Sequence, residues 1–242
     1  MSSALTKYIA TAALMIGSAS AADDDSLAFQ HKATWGNHGT STAFYSPAFE
    51  TGQDLFTLSV TKLTKTTYTN PATTDLLLFP TGTFCQGFLS PNVNVQNAGS
   101  WAATLDLTTT KDITLSSIGL NIKAFGANGL MQANTRTAQM NFSLKSAEGI
   151  TLATGNAGSN GFTIPANTAA GINITMNTGL TEALQAGNYK LELTCERTTE
   201  TAGAFFGLQS ITLNGDIVPE PASAGLLAAG SLLALLRRRR AA

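Results

Sequence analysis

The sequence predicts an all-β fold: a single antiparallel β-sandwich, jelly-roll-like, over residues 22–217, between an amino-terminal export signal (1–21) and a carboxyl-terminal membrane-spanning tail (218–242). Three observations predict it. Apolar and polar residues alternate with period two in run after run, as strands with one buried face require. Clusters of Gly and Asn separate those runs and mark turns. No stretch between them suggests a crossover helix, so no parallel βαβ unit is expected.

Ala22 to Pro47 is irregular, with scattered aromatic and polar residues, and reads either as long surface loops or as an additional strand pair. Thr66 to Pro91 reads the same way. Asp54 to Leu63 sets Phe56, Leu58 and Val60 against Thr57, Ser59 and Thr61, the alternation of a half-buried strand. Trp101 to Thr109 places Trp101, Ala103, Leu105 and Leu107 on one face, and Ile113 to Phe125 repeats the pattern. Ala138 to Lys145 aligns Met140, Phe142 and Leu144. Ile172 to Met176, Tyr189 to Cys195 and Leu208 to Ile217 complete the strands. Gly126 to Gly129 and Gly155 to Gly161 are expected turns, and Gly179 to Ala186 a single helical turn leading into Gly187. Residues 22–217 are enough for one well-buried domain.

Only 12% of the chain is charged and its formal net charge is −1. Four of the 14 Lys and Arg residues lie in the tail, so the body is net acidic. It has no basic field to attract nucleic acid. Thr, Ser, Asn and Gly dominate its polar positions, as in a secreted β-rich protein whose strands keep uncharged outer faces. The regular Leu, Ile, Val and Phe positions argue against disorder.

Candidate chemistry is sparse. His31 and His38, in HKATWGNHG, lack the paired spacing of a helical zinc motif and are expected to be ordinary loop histidines. No Gly-x-Ser-x-Gly elbow is present. Asp75, Asp106, Glu148, Glu182, Glu192 and Glu196 are scattered, whereas a glycosidase needs two carboxyls across one cleft. Asp23-Asp24-Asp25 lacks the spacing of a calcium hand. No catalytic residue, metal site or cofactor is therefore expected, and the chain is expected not to be an enzyme. The cysteines are Cys85 and Cys195, and an oxidising compartment would let them form a disulfide. That bond would close a loop of about 110 residues, worth about 4–5 kcal/mol on the loop-entropy account. Among Trp35, Tyr45, Tyr68 and Trp101, Trp101 continues an apolar strand face and is expected in the core. Trp35 sits among polar residues and is the candidate for an exposed ring stacking on a sugar.

The two ends carry the sharper signals. Met1 to Ala22 has Lys7, a short apolar core from Tyr8 to Gly17, and small residues through Ala22, the organisation of a secretory signal. Ala19-Ser20-Ala21 predicts cleavage between Ala21 and Ala22, with a cut after Ala22 the nearest competitor and an uncleaved anchor the alternative. At the other end, Pro219 and Pro221 flank Glu220 and hold it in a stiff, extended segment. Ala222 to Leu236 is uncharged and rich in Ala and Leu, strong helix formers. It would make about 22 Å of helix, short of the roughly 20 residues of a comfortable span, so local thinning of the bilayer is implied. Arg237, Arg238, Arg239 and Arg240 would stay cytoplasmic and leave the body on the far side. A buried helix of a soluble domain would carry a polar face, and this run offers only Ser223 and Ser231.

Pro-Glu-Pro, a short apolar helix and a terminal arginine cluster, in that order, closely resemble the PEP-CTERM sorting signal over Val218 to Arg240, about a tenth of the chain. The resemblance implies processing near the Pro-Glu-Pro by an exosortase-type membrane protease/transpeptidase. Pro219, Glu220 and Pro221 would be the recognised residues and Arg237 to Arg240 the cytoplasmic retention element. It further implies export by the secretion machinery and signal peptidase, transient membrane anchoring, and delivery to the surface or exterior of a Gram-negative-type bacterium, often one making exopolysaccharide. Two readings of the body follow. One is a non-enzymatic surface or matrix protein acting by presence and contacts. The other is a carbohydrate-binding module reaching polysaccharide by the same route. A permanently anchored single-span protein is a third.

Overall fold

A computed structural model describes residues 28–36, 46–65, 88–89, 101–126, 129–157, 161–197 and 205–219. Among them are eleven strands and no helix. They are β1 (Ala28–Thr34), β2 (Ala48–Phe49), β3 (Phe56–Lys65), β4 (Trp101–Thr109), β5 (Ile113–Phe125), β6 (Arg136–Ser146), β7 (Thr151–Asn156), β8 (Phe162–Ile164), β9 (Ile172–Asn177), β10 (Gly187–Arg197) and β11 (Phe205–Ile217). All pairings are antiparallel. One sheet has the order β2-β1-β11-β5-β9, the other β3-β4-β10-β6-β7, with β8 also on β6. The result is an all-β antiparallel sandwich of two sheets.

The expected strands form where the alternation is longest. β4 buries Trp101, Ala103, Leu105 and Leu107 and leaves Asp106 exposed. β6 buries Ala138, Met140, Phe142 and Leu144. β3 starts at Phe56 and keeps its period only to Val60, where a register shift before Lys62 restores Leu63 to the core. An inserted residue would otherwise turn every later side chain to the wrong face.

The facing sheets share one core: Phe29, Ala33 and Trp35 of the β1 region, Ile118, Leu120 and Ile122 of β5, and Ile211 and Leu213 of β11 meet the inner faces of β4, β6 and β10. Trp101 is fully buried, and its Nε1–H donates to the Phe206 carbonyl at 2.9 Å, satisfying the one polar group of its ring. The far end of β5 is buried on both faces, because Phe88 packs near Phe125 and Lys123. Leu89 pairs there with Leu208 through two backbone hydrogen bonds, 2.8 and 2.9 Å.

One open reading resolves toward a strand, and three expectations are corrected. The irregular stretch before Pro47 contains β1, which lies against β11 along its whole length. Its inward residues Phe29, His31, Ala33 and Trp35 are mixed in polarity, which hid the period. Gly179 to Ala186 is not a helical turn but an irregular connection. Leu184 pairs with Ile113 through bonds of 2.9 and 2.7 Å, and Thr178 Oγ1 donates to the Leu115 carbonyl at its start. Gly155 is a strand residue of β7 rather than a turn. Trp35 is 2% exposed, so its ring is core and presents no face to a ligand. Its backbone N–H bonds the Gln209 carbonyl at 2.9 Å, which carries β1's direction on past Thr34 and turns the indole inward.

Candidate functional site

The alternation that builds the five-stranded sheet also builds its outer face. On β1 the outward residues are Gln30, Lys32 and Thr34; on β11, Ser210, Thr212 and Asn214; on β5, Gly119 and Asn121; on β9, Asn173 and Thr175. Together with Gln53, Glu50 and Gln209 they line a hollow of about 600 Å³, within the usual range for ligand sites. Gly119 keeps its floor low. A methyl group there would lie 3.3 Å from Thr212 Cβ, so a larger side chain would fill the centre.

The amides are held in place by one another. Asn121 Nδ2 donates to Asn173 Oδ1 at 2.8 Å and to the Ala170 carbonyl at 3.2 Å. Gln30 Nε2 donates to Asn214 Oδ1 at 3.1 Å, and Asn214 Nδ2 donates to Ser117 Oγ at 3.1 Å. At the rim, Gln53 Oε1 accepts from the Lys32 amide at 2.7 Å. Lys32 and Glu50 stand 3.9 Å apart as an exposed pair, worth at most about 1 kcal/mol.

Charge distinguishes this face from its opposite. The outer face of the six-stranded sheet carries Lys62, Asp106, Lys145, Lys190, Glu192 and Glu196, with Lys145 and Glu192 at 2.6 Å. The hollow has only Lys32 and Glu50, which offset each other. Side-chain amides and hydroxyls both donate and accept hydrogen bonds. A lining of that kind matches a ligand that is uncharged and rich in hydroxyl groups.

The residues singled out in the sequence lie elsewhere. Trp35 and Trp101 are in the core. Pro219 is exposed just beyond β11. Cys195 is a wholly buried thiol whose pKa burial pushes far up, and no disulfide is seen at this residue. Cys85, Ala21, Ala22, Glu220, Pro221, Arg237, Arg238, Arg239, Arg240, His38, Tyr45, Tyr68 and Asp75 lie outside the described residues. His31 is not a loop histidine: it faces inward from β1, ringed edge-on by Phe29, Phe49 and Phe56. Burial lowers its pKa, with Asp54 opposing the shift. Among the described residues no three His, Cys, Asp or Glu gather as metal ligands. No helix among them is long and apolar enough to cross a membrane. The residues of the hollow were missed in the sequence because Asn, Thr and Gln on a strand look the same whether solvated or aimed at a ligand. The one available signal was the scarcity of charge along the outward positions of β1, β5, β9 and β11, where Lys32 is the one charge among the strand residues of the hollow.

No family description matches the sequence, and no curated protein does. Similar solved structures include a family 35 carbohydrate-binding module from Cellvibrio japonicus Abf62, with 13% identity over 55% of this chain and 76% of that one, TM-score 0.29. A family 35 carbohydrate-binding module from an environmental isolate shows 16% identity over 71% of this chain and 95% of that one, TM-score 0.30. A structure of the infectious bursal disease virus Gx strain reaches TM-score 0.32 at 9% identity, over 80% of this chain and 34% of that one. Likenesses of this size carry no inference about what this chain binds.

Proposed function

We propose that this chain is an exported, non-enzymatic surface protein whose sandwich binds an uncharged, hydroxyl-rich glycan on the outer face of its five-stranded sheet. The observation that carries the reading is the hollow of amides and hydroxyls between β1 and β9, offset in charge and floored by Gly119. Asn121, Asn173, Thr212 and Asn214 are its central contacts, in place of the Trp35 ring. The order in which the strands cross between sheets, with β1-β11-β5-β9 facing β4-β10-β6-β7, supports a jelly-roll description of the scaffold.

Delivery belongs to the same proposal and is supported by the termini alone. Signal peptidase would cleave between Ala21 and Ala22, and an exosortase-type enzyme would process the chain near Pro219-Glu220-Pro221, with Arg237 to Arg240 holding the tail on the cytoplasmic side until then. The protein would end on the cell surface or in the surrounding exopolysaccharide.

Affinity electrophoresis through gels containing neutral or anionic polysaccharides tests the binding reading. Retardation by at least one neutral polysaccharide is expected, with Asn121→Ala/Asn173→Ala weakening it about tenfold, from one to two hydrogen bonds of about 1 kcal/mol each. Passage at the control rate through every neutral gel would overturn it and favour a protein acting by presence alone. Intact-mass measurement of the mature protein tests delivery separately, since retention of the four arginines would exclude processing.

A further inference from the structure

The strand registers bring one set of chain segments to a single end of the sandwich. Ser146 stands opposite Tyr189, and Gly187 opposite Thr109, so the β6–β7 turn, the 178–186 connection and the β4–β5 turn share that end. β11 finishes there too. The Val218 N–H donates to the Asp112 carbonyl at 2.9 Å, and Asp112 Oδ1 accepts from the Ala186 N–H at 2.7 Å, so the chain's exit is pinned to the body. The same end displays Ile150, 65% exposed at the β6–β7 turn, and Leu152, 38% exposed. Leu152 opens onto a shallow recess of about 370 Å³ lined also by Leu180 and Tyr189.

We infer that this end is a membrane-seating face: while the tail is inserted, Ile150 and Leu152 rest in the headgroup layer of the bilayer. The argument is one of reach. The uncharged run starts at Ala222, four residues after the pinned Val218, and that length spans about 14 Å at full extension. A headgroup layer takes up roughly 5–8 Å of it. The remaining slack, about 6–9 Å, keeps this end of the body close to the interface. Aliphatic side chains at that depth are favourably placed. The charges here, Asp112, Glu148, Glu182 and Asp216 against Lys111, suit a zwitterionic surface better than an anionic one. In this pose the glycan hollow lies on the flank of the sandwich and stays open. The inference rests on the tail being a membrane anchor and is independent of what the hollow binds.

The test uses the full chain in phosphatidylcholine vesicles carrying a nitroxide on a fraction of the headgroups. Ile150→Trp places a reporter on the seating end, Leu152→Trp is the second variant, and Ala166→Trp marks the opposite end. Emission of the added tryptophan at 150 or 152, taken as the difference from the native chain with its core Trp35 and Trp101, is expected to fall at least about twofold, as for a residue held at the interface, with that of the tryptophan at 166 unchanged. Vesicle flotation without quenching at 150 and 152, or equal quenching at all three positions, overturns the seating face while leaving the anchor intact. Failure to float overturns the anchor and the seating face together.

Discussion

At the scale of single residues, three side chains show how context decides chemistry. Trp101 is a core residue with one polar atom, and its indole N–H has a buried carbonyl acceptor in Phe206. Trp101→Phe keeps most of the volume but removes that donor, so it is expected to destabilise by about 1–3 kcal/mol, measured by chemical denaturation. His31 is neutral among phenylalanine rings, and its Nδ1 is buried without a hydrogen-bond partner. Its folded pKa is lowered from the ordinary 6.5 by burial, so the unfolded chain takes up the proton first. Stability from this site is complete above about pH 6.5 and is lost as pH falls toward the depressed folded pKa. His31→Phe is expected to flatten that part of the stability–pH curve relative to the native chain, with denaturation midpoints at pH 7.5 and 5.5 as the measurement. An unchanged slope would show that His31 is not the group responsible. Cys195 is the third case: a thiol held neutral by complete burial is a packing residue, slow to react with thiol reagents until the chain unfolds.

At the scale of elements, close approach between β5 and β11 is what the five-stranded sheet depends on. A methyl group at Gly215 would sit 1.9 Å from the Thr114 carbonyl oxygen and 2.9 Å from the Phe29 ring, at a register shift in the ladder. Backbone cannot yield that distance without breaking the pairing. Gly215→Ala is therefore expected to cost several kcal/mol, about 3 or more, and to lower the melting temperature more than Gly52→Ala, where no atom lies within 4 Å and only the positive φ of 84° opposes a side chain. The long alternating elements, β4 and β5, were legible in the sequence to the residue at both ends. β1 was not, since His31 interrupts its apolar face, and the rings that surround an inward histidine come from Phe49 of β2 and Phe56 of β3 as well as its own Phe29. The expected helical turn at Gly179 to Ala186 failed for a related reason. Its backbone groups at Leu184 bond Ile113 of β5 rather than each other, and a tertiary hydrogen bond outweighs a weak local preference.

At the scale of the whole molecule, the two outer faces differ in charge, and that difference predicts how binding should respond to salt. A ligand recognised by the offset, amide-lined face should bind with less than about a twofold change between roughly 50 and 500 mM salt, because screening acts only on charged partners. Isothermal titration or affinity electrophoresis at both ionic strengths would measure it. A steep fall with salt would move the site to the charged face around Lys145 and Glu192. The chain's exit at one end and the hollow on a flank would also separate the proposed delivery from the proposed binding in space, so substitutions in the tail and in the hollow should act additively.

The sequence by itself determined that the body is a layered β structure, because the side-chain period of a strand is written in the order of residues and needs no partner to be read. The readings of the two termini rest on the sequence alone, on local runs of proline, apolar residues and arginine. The tertiary structure alone decided which outward polar residues share a surface. Asn121, Asn173 and Asn214 belong to different strands, far apart in the chain, and only the pairing of β5 with β9 and β11 sets them side by side. It likewise decided that Trp35 is core, since the burial of a ring depends on what the opposite sheet places over it.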